Sequence, residues 1–125
     1  MSSIKISVLS KKIEILEFLT KLNNILRDEA FDIDRDFTII RTKKTGGKER
    51  FSTPYTMLDL EYDSGDIVEC LKRLTIREYS ETLIDKDDTM PPLLFVFGKV
   101  INGKLIYIKL KIKGDQNRHV LCVSF

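Results

Sequence analysis

The sequence predicts an α+β fold, in which an antiparallel sheet carries an N-terminal helix and one or two short helices packed on one face. Three patterns indicate it: a helical stripe in the first quarter, a shorter helical segment near the middle, and a hairpin signal in the last third. The 125 residues are expected to form a single domain, residues 1–125, because a second domain would have too few residues for a core of its own.

The helical stripe lies within residues 10–29. Apolar residues recur there at steps of three and four, as a helix with one buried face requires, and Ser10 is the predicted N-cap. The stripe consists of Ile15, Phe18, Leu19, Leu22, Ile25 and Leu26. Residues 64–74 predict a second, shorter helix, and Thr75 with Glu78 matches a capping box that begins another helical turn.

Three strands are expected before the last third of the chain. Residues 4–8 alternate apolar and polar side chains, and residues 37–40 are rich in strand-forming types. The dipeptide Gly46-Gly47 favours a turn, because both glycines can take positive φ without steric cost. This turn would join residues 37–40 to a strand over residues 55–62 in a hairpin.

The last third carries the strongest pattern. Asn102-Gly103 is the preferred dipeptide of a two-residue hairpin turn, and it joins strands over residues 93–101 and 104–113. A two-residue turn pairs Phe97 with Ile108, which places the alternating apolar residues of the second strand in the core. The side chains on the opposite face, called here the outer face, are Tyr107, Lys109, Lys111 and Lys113.

A final strand over residues 118–125 is expected after a four-residue loop. With that loop, Leu121, Val123 and Phe125 face the core, and a slip of one residue would bury the lysines. The predicted neighbours on the outer face are Ser124 beside Tyr107, Cys122 beside Lys109 and Arg118 beside Lys113. His119 is placed on the core side, opposite Ile112.

Charge is unevenly distributed along the chain, although the net charge is only +2. Residues 41–50 hold five basic residues and one acidic residue, residues 51–88 hold ten acidic and four basic, and residues 89–125 hold six basic and one acidic. Two basic blocks on either side of an acidic one can form an anion-binding face. A solvated surface of mixed charge is the alternative interpretation. The first block includes Arg41, Lys43, Lys44 and Lys48.

The outer face has the chemistry of a nucleic-acid interface. Lysines two residues apart on a strand lie about 6.6 Å apart, near the phosphate spacing of a nucleic-acid strand. Tyr107 offers either a ring for base stacking or a hydroxyl for a sugar, and Gly98 opposite it leaves space beside the phenol. A solvent-facing sheet with solubilising lysines remains the alternative.

Other chemistries have weaker support. Cys70, Cys122 and a single histidine are too few for a zinc site or a disulfide framework. Lys109 could lower the pKa of Cys122, although a packed thiol at the edge of the core fits better. A lone His119 is more typical of a packed residue than of a general base. The acidic residues Asp85, Asp87 and Asp88 lack the spacing and glycine of a calcium loop. We therefore expect neither a metal nor another cofactor.

The cellular location expected from the sequence is the cytoplasm. No apolar run approaches the ~20 residues needed to cross a bilayer, so no membrane partner is expected. The first residues alternate too soon for a secretory signal and lack a small-residue cleavage site. Two cysteines without a disulfide framework fit a reducing compartment.

Four segments together resemble the MqsR family of toxins, most of all its branch in Gram-positive bacteria. They read LTIREY at residues 74–79, FGKVINGK at 97–104, IYIKLKI at 106–112 and VLCVSF at 120–125. The resemblance covers residues 57–125 and rests on the order and spacing of the segments, since no single one is diagnostic. Residues 1–56 match only in having a leading helix and a strand.

The resemblance implies a RelE-like fold and a ribosome-independent mRNA endoribonuclease, the toxin of a type II toxin–antitoxin system. Such enzymes cleave single-stranded RNA without a metal, through attack by the ribose 2′-hydroxyl. Their cognate antitoxins are encoded alongside and often carry a zinc-binding domain, so the expected partners are single-stranded mRNA and an antitoxin with a zinc-binding or a helix-turn-helix domain. Tyr107 matches the family's functional tyrosine, and Lys109 matches the lysine two residues later, so both are the expected catalytic residues. The expected RNA-binding residues are Lys111, Lys113, Arg118, Arg41, Lys43, Lys44 and Lys48.

Two other functions stay open. The fold could serve a non-catalytic regulator or inhibitor, including a phage-encoded one, that occupies a nucleic-acid or protein site. A plain structural domain is the third interpretation, in which both basic blocks could be replaced without a phenotype.

Overall fold

The computed structural model describes residues 5–40, 62–85, 93–114 and 118–125, with the side chains of Lys5, Ile6 and Asp85 excepted. This part of the chain has an α+β fold, an open mixed sheet of six strands with helices packed on one face. Several predictions lie outside the described residues: the basic residues Arg41, Lys43, Lys44 and Lys48, the turn at Gly46-Gly47, the strand over residues 55–61, and the acidic side chains Asp85, Asp87 and Asp88.

The strands are β1 (Lys5–Val8), β2 (Phe37–Ile39), β3 (Tyr79–Asp85), β4 (Leu94–Ile101), β5 (Lys104–Lys113) and β6 (His119–Ser124). The helices are α1 (Lys12–Leu26), α2 (Ile33–Asp36), α3 (Ser64–Leu71) and a 3₁₀ turn (Ile76–Glu78). The strands lie in the order β1-β3-β4-β5-β6-β2. The candidate interface on β5 therefore lies near the middle of the sheet, flanked by β4 and β6.

Helix α1 buries the predicted stripe, but it begins one residue later than Ser10 would cap it. All six stripe residues are buried, which confirms the periodicity. The N-cap is Lys11, whose backbone N–H donates to the Glu14 carboxylate at 2.7 Å. The Ser10 hydroxyl instead hydrogen-bonds the buried Thr82 hydroxyl at 2.7 Å, and Thr82 also contacts the Tyr79 hydroxyl at 2.6 Å. Because a buried hydroxyl is normally hydrogen-bonded, the Ser10 side chain pairs with Thr82 and does not cap the helix.

The shorter helical elements follow their predicted starts. Helix α3 begins at Ser64, capped by Asp63, whose carboxylate accepts from the Asp66 backbone N–H at 2.9 Å. It ends at Leu71, three residues before the predicted end. The capping box at Thr75 is present, since the Glu78 carboxylate accepts from the Thr75 backbone N–H at 3.0 Å. This box begins the 3₁₀ turn that leads into β3.

The sheet is mixed and not wholly antiparallel as predicted. Strand β2 lies parallel to β6, with Phe37 opposite Val120, whereas the other four neighbouring pairs are antiparallel. Phe37 and Val120 are both buried on the core face, which gives this pairing its register. Because the two strands are 80 residues apart in sequence, no local turn signal indicated that they would pair.

The β4–β5 hairpin confirms the predicted turn and register. Asn102 and Gly103 both take positive φ, 50° and 78°, as the turn requires. Ile101 pairs with Lys104, and Phe97 pairs with Ile108. On the core face of β5, Ile108, Leu110 and Ile112 are buried and Ile106 is half-buried, whereas Tyr107 projects from the other face.

The main core lies between the sheet and helices α1 and α3. Phe18 of α1 stacks on Phe95 with ring centroids 4.2 Å apart and on Phe97 at 6.2 Å. Phe97, Ile108 and Leu110 are completely buried at the centre of this core. This core packs the inner face of β4 and β5 against the helices, so the outer face points away from them. Among the described helices, none combines the length and the apolar character needed to cross a membrane.

Candidate nucleic-acid interface

The outer face of β5 carries the predicted tyrosine and lysines. Tyr107 is 53% exposed, Lys113 is exposed, and Lys109 and Lys111 are half-buried. Ile108 between them is completely buried on the core face, so the alternation predicted for this strand is confirmed. Their proposed roles in binding and catalysis stay predictions.

Tyr107 lies against a glycine on the neighbouring strand. Gly98 is its partner across the β4–β5 pair, and a Cβ atom placed there would lie 3.5 Å from Cε1 of the Tyr107 ring. The same Cβ would lie 3.4 Å from Cδ1 of Leu105. Both side chains therefore lean over the bare backbone of Gly98, as an aromatic ring beside a sheet glycine commonly does. The ring stays half-exposed above it.

The outer face is less open than the sequence suggested. A second apolar cluster lies there, made of Leu83, Leu94 and Val96, with Val123 packed against it. Val96 is opposite Lys109 in the β4–β5 register, so that lysine rises from an apolar surface. Long lysine stems pack well on such a surface while the ammonium group stays at its edge. The most open parts of β5 are its two ends, around Tyr107 and at Lys113.

The β5–β6 register differs by one residue from the prediction. Leu110 pairs with Cys122 and Lys113 pairs with His119, and an irregularity between Lys109 and Leu110 brings Ser124 beside Lys109. The residues of β6 that share the core face are Val120 and Cys122, both completely buried, so the predicted core positions Leu121 and Val123 are wrong. Phe125 is buried in the main core as predicted. The lysines remain on the outer face because the alternation of β5 is as predicted, and only the pairing of β6 with β5 is shifted by one residue.

Arg118 directly precedes β6, and the partner of Lys113 across the β5–β6 pair is His119 and not Arg118. Nη2 of Arg118 donates to Oδ2 of Asp28 at 3.2 Å, across 90 positions of sequence. The Ala30 backbone N–H and the Arg118 guanidinium lower the pKa of the Asp28 carboxyl. An RNA phosphate at Arg118 would have to share the guanidinium with this carboxylate.

His119 lies on the outer face, opposite Lys113, and not on the core side as predicted. Its Nε2 hydrogen-bonds the Thr38 hydroxyl at 2.8 Å. Lys113 is six positions along β5 from Tyr107, or about 20 Å at the usual rise of a strand. The only histidine of the chain therefore stands far from the tyrosine.

Cys122 is a buried core thiol, as the favoured interpretation expected, and it pairs with Leu110 and not with Lys109. Complete burial raises the pKa of Cys122 to about 12, because a thiolate would lose its hydration. The thiol donates to the Ser124 carbonyl at 3.3 Å. Cys70 is half-buried, and burial raises its pKa as well. In the described ranges no group of three or more histidine, cysteine or acidic residues is placed to hold a metal.

Three side chains on the outer face were missed by the sequence reasoning. Val100 and Leu105 lie opposite each other beside the hairpin turn and are 68% and 55% exposed. Their outward position could have been deduced from the same alternation that placed Tyr107. Glu81 of β3 lies opposite Val96, two strands from Lys109, and its carboxylate accepts from the Ser7 hydroxyl at 2.9 Å. The position of Glu81 depends on the pairing of β3 with β4, and the sequence contains no turn dipeptide that would have predicted this pairing.

The chain was compared with known proteins. No family model matches it, and a search of curated proteins found no match.

Proposed function

We propose that this protein is a single-strand-specific endoribonuclease of RelE-like fold that acts as the toxin of a type II toxin–antitoxin pair. One observation carries the proposal: a half-exposed tyrosine stands in line with three lysines on the outer face of β5. A polyanion with accessible sugars is the ligand that such a row of groups fits. The resemblance of four segments, in order and spacing, to the MqsR family supports the choice of RNA cleavage.

The proposed reaction is an internal transesterification of the RNA backbone. The 2′-oxygen forms a bond to the adjacent phosphorus, and the bond from phosphorus to the 5′-oxygen of the next nucleotide breaks. The products are a 2′,3′-cyclic phosphate and a free 5′-hydroxyl, so one proton moves from the attacking oxygen to the leaving oxygen and no water is consumed. Groups that accept and return this proton, and a cation beside the phosphorane, lower the barrier.

Tyr107 and Lys109 are assigned the two roles that this reaction requires. The Tyr107 hydroxyl hydrogen-bonds or transfers a proton at the reacting oxygens. Lys109 follows it on the same face, about 6.6 Å along the strand, and its ammonium group clamps the phosphate. Lys111 and Lys113 continue the row and hold the flanking backbone, and Glu81 supplies a carboxylate to the same face.

Digestion of a synthetic single-stranded RNA by the purified protein, with EDTA present, tests the proposal. We expect cleavage that leaves cyclic phosphate ends, strong loss of rate in Tyr107→Phe and Lys109→Ala, and an unchanged rate in Lys21→Ala. Lys21 is an exposed lysine of α1, which packs on the core face, so it is a matched control. Absence of cleavage, or cleavage that both site variants retain, would reject the proposal.

A non-catalytic RNA-binding regulator is the second candidate, and one observation favours it. The only histidine lies about 20 Å along the strand from Tyr107, so imidazole does not supply the acid or base there. This candidate predicts stoichiometric RNA binding without cleavage. Expression separates the two: an active toxin stops growth, and Lys109→Ala restores it, whereas growth under the regulator does not depend on Lys109.

A toxin of this kind requires a neutralising partner. We propose a cognate antitoxin, with a zinc-binding or helix-turn-helix domain as in relatives of the family it resembles. Co-expression with the product of the neighbouring gene tests this, and we expect that product to restore growth and to co-purify with the toxin.

A further inference from the structure

Three exposed apolar side chains lie together at the hairpin end of the outer face. Val100, Leu105 and Tyr107 are 68%, 55% and 53% exposed. Val100 pairs with Leu105, and Gly98 pairs with Tyr107, so the group occupies two neighbouring rows of the β4–β5 hairpin. We call Val100, Leu105 and Tyr107 over Gly98 the apolar seat. Clustered apolar side chains that remain open to solvent are typical of a binding surface.

The apolar seat has the shape of a shallow platform. Gly98 contributes no side chain, and both Leu105 and Tyr107 approach the position of its absent Cβ, at 3.4 and 3.5 Å. The two side chains therefore lean across the glycine, and no side chain of β4 rises between them at this row. A planar ring can lie over this surface and stack on the Tyr107 ring.

The charge beside the apolar seat indicates what kind of molecule carries that ring. Following Tyr107, every outward residue of β5 is a lysine: Lys109, Lys111 and Lys113. A ligand that extends along this face must therefore join a planar apolar group to a row of negative charges. Single-stranded nucleic acid has both, whereas a duplex hides the faces of its bases in the stack.

We propose that the apolar seat binds an unpaired nucleobase, while the lysines of β5 hold phosphates on one side of it. The seat thereby selects single-stranded RNA, and the lysines supply affinity that does not depend on the bases. This inference rests on the proposed function for the choice of RNA as ligand, but it does not require that the RNA is cleaved.

Binding of the full chain to three labelled probes tests the inference by fluorescence anisotropy. The probes are a ten-nucleotide RNA, an abasic ribose-phosphate oligomer of the same length, and the RNA duplex. We expect the wild type to bind the RNA about tenfold more tightly than the abasic oligomer, within the usual range for stacking of one base on an aromatic ring. Tyr107→Ala should lose most of this preference, whereas Val100→Ser/Leu105→Ser, which keeps the ring, should lose part of it and keep its affinity for the abasic oligomer. Lys111→Ala should weaken both single-stranded probes by the same factor.

The control variant is Ile13→Ser, because Ile13 is 63% exposed and belongs to α1, which packs on the core face of the sheet. It should bind all three probes as the wild type does, and circular dichroism should show every variant folded. Equal affinity of the wild type for RNA and the abasic oligomer would overturn the apolar seat while leaving RNA binding intact. If the wild type bound neither the RNA nor the abasic oligomer, the result would overturn the proposed function together with the apolar seat. A dimer that Val100→Ser/Leu105→Ser converts to a monomer, without any base preference, would assign the surface to protein contact and also overturn the inference.

Discussion

The lysines on the outer face of β5 set an expected salt dependence for RNA binding. Each phosphate neutralised on a single strand contributes about −0.7 to the slope of log K against log salt. Lys111 and Lys113 are two positions apart on the same face, about 6.6 Å, so they can contact successive phosphates. The double variant Lys111→Ala/Lys113→Ala should therefore flatten the slope by about 1.4. Between about 50 and 200 mM salt, the affinity gap between wild type and variant should shrink about sevenfold.

Anisotropy titrations of one labelled ten-nucleotide RNA at four salt concentrations measure this slope. Lys21→Ala removes one lysine from α1, on the other side of the sheet, and should leave the slope unchanged. Parallel slopes for the wild type and the double variant would refute the assignment of these lysines to phosphate contacts. If Lys21→Ala flattened the slope as much per lysine as the double variant does, the salt dependence would reflect the net charge of the protein and not the position of the lysines on the outer face.

The remaining predictions concern stability and thiol chemistry. Thr82→Val removes the hydroxyl that contacts Ser10 and Tyr79, and it should lower the free energy of unfolding in urea by about 1–3 kcal/mol; a change within about 0.3 kcal/mol would contradict the network. Alkylation at pH 8 followed by mass spectrometry should label Cys70 slowly and Cys122 only after unfolding, because burial raises the pKa of Cys122 to about 12; rapid native labelling of Cys122 would show that it is accessible. The hydrogen bond from the Arg35 side chain lowers the pKa of the Asp36 carboxyl to about 2. The contribution of this carboxylate to stability is therefore fully present above the ordinary carboxyl pKa near 4, and it is lost as the pH falls toward 2. Urea midpoints measured across this range should fall less steeply in Asp36→Asn, and identical slopes would disprove the link.

Much of the candidate interface could be predicted because it belongs to one hairpin. The turn at Asn102-Gly103 sets the register of β4 and β5, and strict alternation then assigns each side chain of β5 to a face. Tyr107 and Lys109 were placed by these two local rules alone. The predicted positions of Arg118 and His119 were wrong because they depend on the loop that follows β5. The prediction gave this loop four residues, one fewer than the pairing of Lys113 with His119 requires.

The surroundings of the interface could not be predicted in the same way. Glu81 reaches the outer face through the pairing of β3 with β4, and eight residues of sequence separate these strands. The apolar cluster of Leu83, Leu94 and Val96 on that face also depends on this pairing. A lysine-bearing strand looks wholly solvent-facing in sequence because its own alternation does not reveal what its neighbours place beside it.

Local chemistry in the chain determined where most helices and strands begin, which residues of α1 are buried, and which way β5 faces. These properties follow from periodicity and from turn residues a few positions apart. The parallel pairing of β2 with β6, the one-residue shift of β6 and the capture of Ser10 by Thr82 were decided only in the folded molecule. The first and the last satisfy a buried side chain or hydroxyl through a partner far away in sequence, and the shift of β6 buries Val120 and Cys122 against β5. Packing in three dimensions, and not propensity, selects among such partners.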